Sequence, residues 1–544
     1  MVVKQNGKLR VYNRIYEFVF DNKWINQTLT NLRPYTKELA AWLNSNRQDK
    51  SYLLRGQKLQ EAQQWQKGKE LLVEDYQFLN TSQEIATRRQ LRFFILLAPL
   101  LVLIPVVGWQ SFQIARDLVS DQVKGTFLTQ SFSQGERTLF GGSENPSRAQ
   151  AFIAFQNKDY PQAVEYFQKA RQAFPYDPEL RIYYNNARAY QQGNPLTLAV
   201  VLPDTNKESK ISQELLRGVA QAQDNFNSLG GVNKQFLNIV IANDGSDKTQ
   251  AQKVAEELIK NQNILGVIGH YTSTNSQAAL PLYEKAGVAM ISPGSTSTSI
   301  NSKVFFRTVL SAKVDAEELT DYAKKYGYKR VVIFYNPHDI YSNDVKKEFE
   351  NLFISDNNGE VIYTNNLADA SLNTSAEISK VKEKNADAIV LFPNTELTSV
   401  ALAIARAQGS KKLPLLGGNA LYNQDTLKSG GDAFEGLVIC VDWFAEDQNS
   451  KKFAEEAKGI WGGQISWRTA TAYDATRAFI KAISMYNSPS RQTVLQNLKS
   501  INLSSTETSG YPLYFDDRGD RQQKPVLVKV VKGSDGLFKF EQVK

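Results

Sequence analysis

The sequence is poor in the residues that catalysis and metal binding most often require. Its 544 residues include one cysteine, Cys440, and two histidines, His270 and His338. A single cysteine excludes an intrachain disulfide, and its position in the apolar run GLVICV indicates a core thiol. The sequence has no G-x-S-x-G nucleophile motif and no metal-ligand spacing. We therefore predict that the protein is not an enzyme and needs no metal or other cofactor, and that His270, at the end of an apolar run, is structural.

Net positive charge is small after the first sixth of the chain. The net charge is +8, but residues 1–92 hold 16 Lys and Arg against nine Asp and Glu, which leaves the remainder almost neutral. This asymmetry indicates membrane topology rather than nucleic-acid binding, and we expect no nucleic-acid partner. A chain of this length is too long for one hydrophobic core, so three or four structural units are expected.

A long uncharged run follows the basic segment. Residues 93–115 carry no charge, and FFILLAPLLVLIPVVGW would cross roughly 30 Å of hydrocarbon as a helix of about 20 residues. We predict a transmembrane helix at 93–115. Because Arg88, Arg89 and Arg92 precede it, the positive-inside rule places residues 1–92 in the cytoplasm. The expected location is the plasma (inner) membrane, crossed once, with the rest of the chain extracytoplasmic or periplasmic.

The pattern of the cytoplasmic segment predicts short amphipathic helices. Its stretches RVYNRIYEFVF, NLRPYTKELAAWL, SYLLRGQKLQEAQQWQKGKEL and DYQFLNTSQE resemble the region that follows the AAA-like ATPase module of large bacterial signalling or defence proteins. The resemblance implies an interaction or folding module, for which a cytoplasmic NTPase or effector is a possible partner. Its basic residues can equally form a solvated face.

A polar linker at 116–146 leads to a helical region at 147–193. The spacing of five residues in this region resembles the second helix of a tetratricopeptide repeat and the turn that closes it. These residues are Tyr160, Ala163, Phe167, Ala170 and Pro175. Since a solenoid needs about three repeats, we expect a small tetratricopeptide-like helical element that acts as a spacer or a docking element.

From residue 196 to residue 544, short apolar runs alternate with helical patterns. The first series of runs is LTLAVVLP, FLNIVIAND, ILGVIGH, VAMISPG and VFFRTVL, and the second is RVVIFYNP, EVIYTNN, DAIVLFP, LPLLGG and GLVICVDWF. Apolar runs separated by helices are typical of buried parallel strands. The sequence therefore predicts an α/β domain of two lobes, each with a doubly wound parallel sheet, and a cleft between them.

Two clusters of small hydroxyl residues, at 272–276 and 295–298, follow two successive strands of the first series. Both clusters should lie at strand carboxyl ends, where open α/β sheets bind ligands. The first cluster also begins a helix, whose free N–H groups favour an anion. Ordinary helix capping is the alternative for either cluster.

The region 196–544 closely resembles the type I periplasmic binding proteins that recognise leucine, isoleucine, valine and related amino acids for ABC transporters. The matching stretches, in family order, are LAVVLP, LLRGVAQAQDNFNSLGG, IANDGSDKTQAQKVAEELI, VIGHYTSTNSQAALPLYEKAGVAMISPGSTST, TAYDATRAFIKAI and YFDDRGDR. The resemblance implies the two-lobed type I fold and capture, by hinge closure, of a small ligand such as an amino acid, an amide or a short carboxylate. It also implies an ABC permease as a membrane partner.

The resemblance also suggests ligand-binding residues in the first lobe. The family's groups for the ligand α-carboxylate correspond to Ser273, to Gly294 through its backbone, and to Thr296. Their neighbours Thr272 and Ser295 complete the expected anion site.

Three positions of the second lobe complete the expected site. Tyr341 matches a family tyrosine, although an aromatic residue at a helix start can simply pack on the sheet. Asn394 replaces an aromatic residue, and Asn419 replaces the carboxylate that receives the ligand ammonium. Because an amide supplies no charge, a neutral amide or a carboxylic acid would fit beside Asn419. In the first lobe, Ile211 stands where an aromatic residue is usual.

Two functions are compatible with these features. The first is a membrane-tethered solute-binding protein that serves an ABC transporter. The second is a single-span ligand sensor that signals to a cytoplasmic partner. Copurification with a permease favours the first, and copurification with an NTPase or effector favours the second.

Overall fold

The computed structural model describes residues 2–5, 8–11, 34–45, 49–55, 57–66, 75, 78–79, 81–82, 131–140, 145–204, 209–410 and 412–543. The transmembrane helix predicted at 93–115 lies outside these residues. Within the ranges just given, no helix combines the length and the apolar character needed to cross a membrane. The chain divides into two units, Met1–Asp121 and Gln122–Lys544.

The first unit contains a strand pair as well as helices. Strand β1 (Val2–Gln5) pairs antiparallel with β2 (Lys8–Val11), and the Asn-Gly pair between them in the sequence is a strong hairpin signal. Helices α1 (Thr36–Asn44) and α2 (Gln57–Gln66) follow. The expectation of helices alone therefore missed the hairpin.

A small apolar cluster holds the helical part of the first unit together. Leu39 and Trp42, three residues apart on α1, are both buried, and the Trp42 ring centroid lies 5.4 Å from that of Phe78. The buried members of the cluster are Tyr35, Leu39, Trp42, Leu53, Leu54, Leu59, Ala62, Phe78 and Leu79. This unit thus has a hydrophobic core of its own.

The second unit begins with a short strand and three helices. These elements are β3 (Phe132–Ser133), α3 (Pro146–Gln156), α4 (Tyr160–Ala173) and α5 (Pro178–Gln192). Each helix has a proline in its first turn and an Asn or Asp side chain that accepts a hydrogen bond from a first-turn N–H. Proline at this position sacrifices no helical hydrogen bond, and the cap satisfies a free donor.

The first lobe is built on a sheet whose strands lie in the order β3-β5-β4-β6-β7-β8. All its strands except β3 run parallel. The elements are β4 (Leu196–Leu202), α6 (Ser209–Ser228), β5 (Leu237–Asn243), α7 (Lys248–Lys260), β6 (Ile264–Ile268), α8 (Ser273–Ala286), β7 (Ala289–Ser292) and β8 (Phe305–Arg307). The order places the topological switch point between β4 and β6.

The second lobe repeats this design with a mixed sheet, in the order β10-β9-β11-β12-β13-β14-β15. The elements are α9 (Ala312–Lys325), β9 (Arg330–Tyr335), α10 (Ile340–Ser355), β10 (Glu360–Asn366), α11 (Thr374–Glu383), β11 (Ala388–Phe392), α12 (Thr398–Ala407), β12 (Leu415–Gly417), β13 (Val438–Val441), β14 (Val526–Lys532) and β15 (Phe538–Gln542). The strands from β9 to β13 are parallel, which confirms the predicted two-lobed α/β fold.

The last two strands differ from the predicted parallel arrangement. Strand β14 pairs antiparallel with β13, and β15 pairs antiparallel with β14. A tight turn joins them, in which Gly536 has a φ of +80° that suits glycine. Alternate residues of β14 are buried, as expected where an edge of a sheet has one solvated face.

Three further helices return to the first lobe: α13 (Lys451–Trp461), α14 (Trp467–Ser484) and α15 (Arg491–Leu498). Helix α14 packs along α6, and α15 packs on β6. The chain therefore crosses between the lobes three times, after β8, after β13 and before β14.

Buried polar groups hold the crossing segments together. Leu310 N donates to Asp442 Oδ1 at 2.5 Å, and Arg521 Nη1 donates to Asp474 Oδ2 at 2.7 Å and to Thr308 O at 3.2 Å. The Arg521 and Asp474 side chains are 4% and 0% exposed. The two charges of this buried pair compensate each other. Removal of one partner would leave the other charge buried and unpaired.

The helices before the first lobe are part of its core. Strand β3 extends the sheet at the edge of β5, and α5 packs against both α6 and β5. The Asn186 side chain on α5 donates to Ile239 O and accepts from Ile239 N, each at 2.8 Å. The tetratricopeptide likeness of these helices stays a prediction, whereas α5 packs directly on α6 and β5 of the lobe.

Candidate ligand-binding cleft

The cleft between the lobes contains a space of about 330 Å³, which we call the first compartment. It lies at the carboxyl ends of the parallel strands, the usual ligand position in such sheets. Six of the eight residues predicted from the sequence line it. They are Thr272, Ser273, Gly294, Tyr341, Asn394 and Asn419. The other two, Ser295 and Thr296, are buried in the same loop as Gly294.

The first hydroxyl cluster begins α8. Thr272 Oγ1 accepts a hydrogen bond from Asn275 N at 3.2 Å, so this residue has the capping role. Ser273 is the first residue of the helix, and its Oγ accepts from Ser297 N at 3.4 Å. The second bond joins the two hydroxyl clusters. The free N–H groups at the start of α8 face the cleft region and favour an anion there.

Gly294 is required by a close approach of the two loops. A Cβ atom at this position would lie 2.4 Å from the Tyr271 ring and 2.7 Å from Tyr271 O. No larger side chain fits without movement of that backbone. The resemblance implies that residue 294 contributes only its backbone to the ligand site, and the packing is consistent with this.

Ser295 does not line the first compartment. Its Oγ lies 2.6 Å from Ser276 Oγ and donates to Tyr271 O at 3.2 Å. Ser292 Oγ supports the same turn by donating to His270 O at 2.6 Å. These hydroxyls hold the two loops together, so the structure assigns Ser295 to an internal network rather than to the wall of the cleft.

Thr296 has a hydroxyl that the protein leaves unsatisfied. Its Oγ1 is buried, and no donor or acceptor among the described residues bonds to it. The backbone beside it is fixed by Arg307, whose Nη1 donates to Ser295 O at 3.1 Å and to Ser297 O at 2.8 Å. Arg307 is fully buried and pairs with Asp520 at 2.7 Å. A buried unsatisfied hydroxyl is costly, and a ligand that bonds to it would remove that cost.

His270 is fully buried beside these loops. Its Nδ1 lies 2.6 Å from Asp244 Oδ2, and its Nε2 lies 3.1 Å from Tyr283 Oη. Burial raises the pKa of Tyr283 well above its ordinary value, so this hydroxyl stays protonated. Both ring nitrogens of His270 therefore have partners inside the lobe, as a structural histidine should.

Tyr341 brings the second lobe to the cleft at the start of α10. Asp339 caps this helix, its Oδ1 accepting from Ser342 N at 2.9 Å. The Tyr341 hydroxyl is buried and lies 2.4 Å from the position that a Cβ at Gly418 would occupy. Burial raises the pKa of Tyr341 well above its usual range. The phenol is therefore a neutral donor at any physiological pH.

Two asparagines lie opposite the hydroxyl loops. Asn394 Oδ1 is buried without a partner in the described parts of the chain. Asn419 is 6% exposed and its side chain hydrogen-bonds to Asp442. Burial raises the pKa of Asp442 to about 6, which leaves it largely ionised at pH 7. Since a carboxylate only accepts, the Asn419 amide donates its N–H and keeps Oδ1 for another donor.

Asp315 forms a buried carboxyl pair with Asp442. Burial, followed by the nearby Asp442 charge, raises the pKa of Asp315 well above its ordinary value. Burial and the same carboxyl groups keep the Cys440 thiol protonated. One member of the carboxyl pair therefore holds its proton at neutral pH, because two like charges cannot both be buried cheaply.

Sequence reasoning missed the wall formed by Trp467 and Arg468 at the start of α14. Arg468 Nε donates to Tyr271 Oη at 2.8 Å, and Nη1 pairs with Glu214 Oε2 at 3.2 Å. The guanidinium carbon lies 4.6 Å from the Trp467 ring centroid. Only Thr469 and Ala470 separate both residues from the family-like stretch TAYDATRAFIKAI. Only the packing of α14 on the first lobe brings them to the cleft.

Comparison with known proteins agrees with this geometry. Residues 195–535 match the family model described as periplasmic binding protein. The leucine-, isoleucine-, valine-, threonine-, and alanine-binding protein of Pseudomonas aeruginosa is 26% identical over 333 residues, which are 60% of this chain and 87% of that protein. A solved leucine-binding protein of Thermotoga maritima is 25% identical with a TM-score of 0.56, covering 64% of this chain and 97% of that one.

A different similarity concerns a much shorter segment. An uncharacterized WD repeat-containing protein of Synechocystis is 51% identical over 83 residues, which are 15% of this chain and only 7% of that protein. The family model, by contrast, covers more than half of the chain and includes both sheets and the cleft between them. The chain belongs to the periplasmic binding protein family.

Proposed function

We propose that this protein captures a small carboxylate-bearing, amino-acid-like solute in its cleft and delivers it to an ABC transporter. One observation carries the proposal: the two hydroxyl loops meet where Ser273 and Gly294 line the first compartment, and in the second loop Thr296 Oγ1 is buried without a partner among the described residues. Hydrogen bonds to a charged group contribute about 1.5–3 kcal/mol each. A ligand carboxylate would satisfy this hydroxyl and the free N–H groups of α8 together.

Closure of the lobes supports the same proposal. Ser297 Oγ donates to Asp344 Oδ2, and Thr298 Oγ1 donates to Glu348 Oε1 at 2.9 Å. Both carboxylates are on α10, the helix that begins beside Tyr341. The loop that would hold the ligand therefore also contacts the opposite lobe, so ligand binding and hinge closure stabilise the same arrangement.

We further propose that residues 93–115 anchor the protein in the inner membrane with the cleft outside. The uncharged run and the preceding arginines support this topology. The relatives named as binding proteins of branched-chain amino acids support the transport role. A tether would raise the concentration of the binding domain at its permease without any additional contact.

A ligand sensor is a second candidate, and the packing of β3 and α5 favours it. These elements join the segment that precedes the binding domain directly to the sheet edge and core of the first lobe. Movement of that lobe during closure would therefore carry β3 and α5 with it. Copurification distinguishes the candidates: a permease supports transport, whereas an NTPase or effector supports sensing.

A thermal-shift screen of the full-length protein tests ligand capture. The screen should contain amino acids, amides and short carboxylates. A ligand present at 100 times its dissociation constant stabilises the folded state by about 2.7 kcal/mol. The full chain is needed, because a fragment that starts at residue 196 would lack β3 and α5 and expose the faces that they cover. If no carboxylate raises the melting temperature, the proposed function is wrong.

A further inference from the structure

A larger space of about 540 Å³, which we call the second compartment, adjoins the first at Trp467 and Arg468. Thr395, Trp467 and Arg468 line both compartments, so the two spaces meet at these side chains. About half of the wall of the second compartment is aromatic or aliphatic, and the rest is polar, with charged side chains that include Lys210, Glu214, Asp425, Glu446 and Lys539. Its apolar side chains include Ile211, Tyr422, Phe444, Ile465, Phe538 and Phe540.

Together, the two compartments offer a ligand more volume than the first compartment alone. Ligand pockets usually measure about 300–1,000 Å³. The first compartment, at about 330 Å³, is near the lower limit, and the second, at about 540 Å³, is the larger of the two. Aromatic walls such as the Tyr422–Phe540 pair, with ring centroids 4.7 Å apart, suit a flat or long apolar group.

Arg468 offers a donor at the junction of the compartments. Its side chain is 7% exposed, its Nε and Nη1 are bonded to Tyr271 and Glu214, and its Nη2 has no acceptor among the residues that the structure describes. Glu214 balances much of the charge. The remaining N–H groups therefore suit a neutral acceptor such as a carbonyl oxygen.

The opposite side of the first compartment offers an acceptor. The Asn419 side chain lies beside the Asp442 carboxyl and lowers its pKa, so an amide N–H is the group toward that acceptor and Oδ1 is left for the ligand. A neutral N–H group is a better match for this amide oxygen than an ammonium, which needs a carboxylate for a strong bond.

Two acidic side chains of the second lobe also line the first compartment. Asp339 is occupied as the cap of α10, its Oδ1 bonded to Ser342 N at 2.9 Å. Glu396 is exposed to solvent. Because Asp339 is already bonded as a helix cap and Glu396 is exposed, neither supplies the buried negative charge that Asn419 lacks.

We propose that the ligand spans both compartments and is an N-acylated amino acid with an aromatic or long apolar acyl group. Its carboxylate lies at the hydroxyl loops, its amide N–H donates to Asn419, its acyl carbonyl accepts from Arg468 Nη2, and its acyl group fills the second compartment. This inference rests on the proposed function, because it keeps the carboxylate site and adds to it.

Calorimetric titration of the full-length protein with three probes tests the inference. The probes are L-leucine, N-acetyl-L-leucine and N-phenylacetyl-L-leucine. We expect N-phenylacetyl-L-leucine to bind at least tenfold more tightly than L-leucine. Arg468→Gln should weaken binding of the acylated ligand at least tenfold more than it weakens binding of L-leucine, because only the acylated ligand has a carbonyl at the junction.

A second variant covers the case in which Arg468→Gln lowers stability. Ala445 lines the second compartment, and Ala445→Trp should fill part of it. This change should lower the preference for N-phenylacetyl-L-leucine over L-leucine at least tenfold. If L-leucine binds more tightly than both acylated probes, or if neither variant changes the preference, the inference is wrong and carboxylate capture stands. If none of the probes binds, the inference is wrong, and the thermal-shift screen of carboxylates decides separately whether the proposed function stands.

Discussion

Replacement of Thr296 by valine should separate ligand binding from stability. Valine keeps the shape of the side chain but removes the hydroxyl, which is buried and unsatisfied by the described residues. Without ligand, the variant should melt at the parent temperature or slightly above it, since no hydrogen bond within the protein is lost. With ligand, the loss of a bond to a carboxylate should weaken binding by about 1.5–3 kcal/mol, which is about 10- to 150-fold.

Ser295→Ala is the matched control from the same loop. Its hydroxyl lies 2.6 Å from Ser276 Oγ and bonds to Tyr271 O, so its removal should cost about 1 kcal/mol of stability. Affinity should change less than threefold. Thermal melting and calorimetric titration with L-leucine measure both quantities. If the valine variant binds as tightly as the parent, or if Ser295→Ala is the variant that loses affinity, the assignment of the two hydroxyls is refuted.

Three further predictions concern the second lobe and the topology. Asn419→Asp should raise the affinity for L-leucine relative to N-acetyl-L-leucine at least tenfold, because the ligand ammonium would compensate the carboxyl placed beside Asp442; an unchanged ratio would remove Asn419 from the site. Asp315→Asn should raise the melting temperature at pH 8. The expected rise is about 2–4 °C for each kcal/mol of destabilisation by the buried carboxyl that the substitution removes. The folded-state pKa of Asp315 is raised by burial and by Asp442, so its stabilising contribution is complete below about pH 4 and is lost as the pH rises. The difference in melting temperature between the variant and the parent should therefore vanish near pH 4. A difference that stays constant with pH would argue against titration of Asp315 as its cause. Protease added to intact cells should remove the chain beyond residue 116 and spare residues 1–92, and the reverse pattern would overturn the membrane orientation.

The alternation of apolar runs and helices was sufficient to predict the two lobes. ILGVIG and VAMIS are neighbouring parallel strands, with Gly266 opposite Ala289, and the helix between them begins at Ser273 as its hydroxyl cluster suggests. Local signals of this kind depend on buried strands and capped helices, which the sequence encodes within about 30 residues.

Long-range packing determined what the sequence did not reveal. Trp467 and Arg468 reach the cleft because α14 returns from the second lobe to pack on α6, almost 200 residues after Tyr271. The Asp315–Asp442 pair brings the start of α9 beside the end of β13 within the second lobe, and neither residue has a local motif. Strand β3 is only two residues long, which is too short for any periodicity to predict.

Titration of the full-length protein with L-leucine and with leucinol, which lacks the carboxylate, tests the central claim most directly. The two compounds share the side chain and the amino group, so their difference measures recognition of the carboxylate at the hydroxyl loops. We predict that L-leucine binds at least tenfold more tightly than leucinol and that Thr296→Val removes most of this difference. Equal binding of the two compounds would contradict the account.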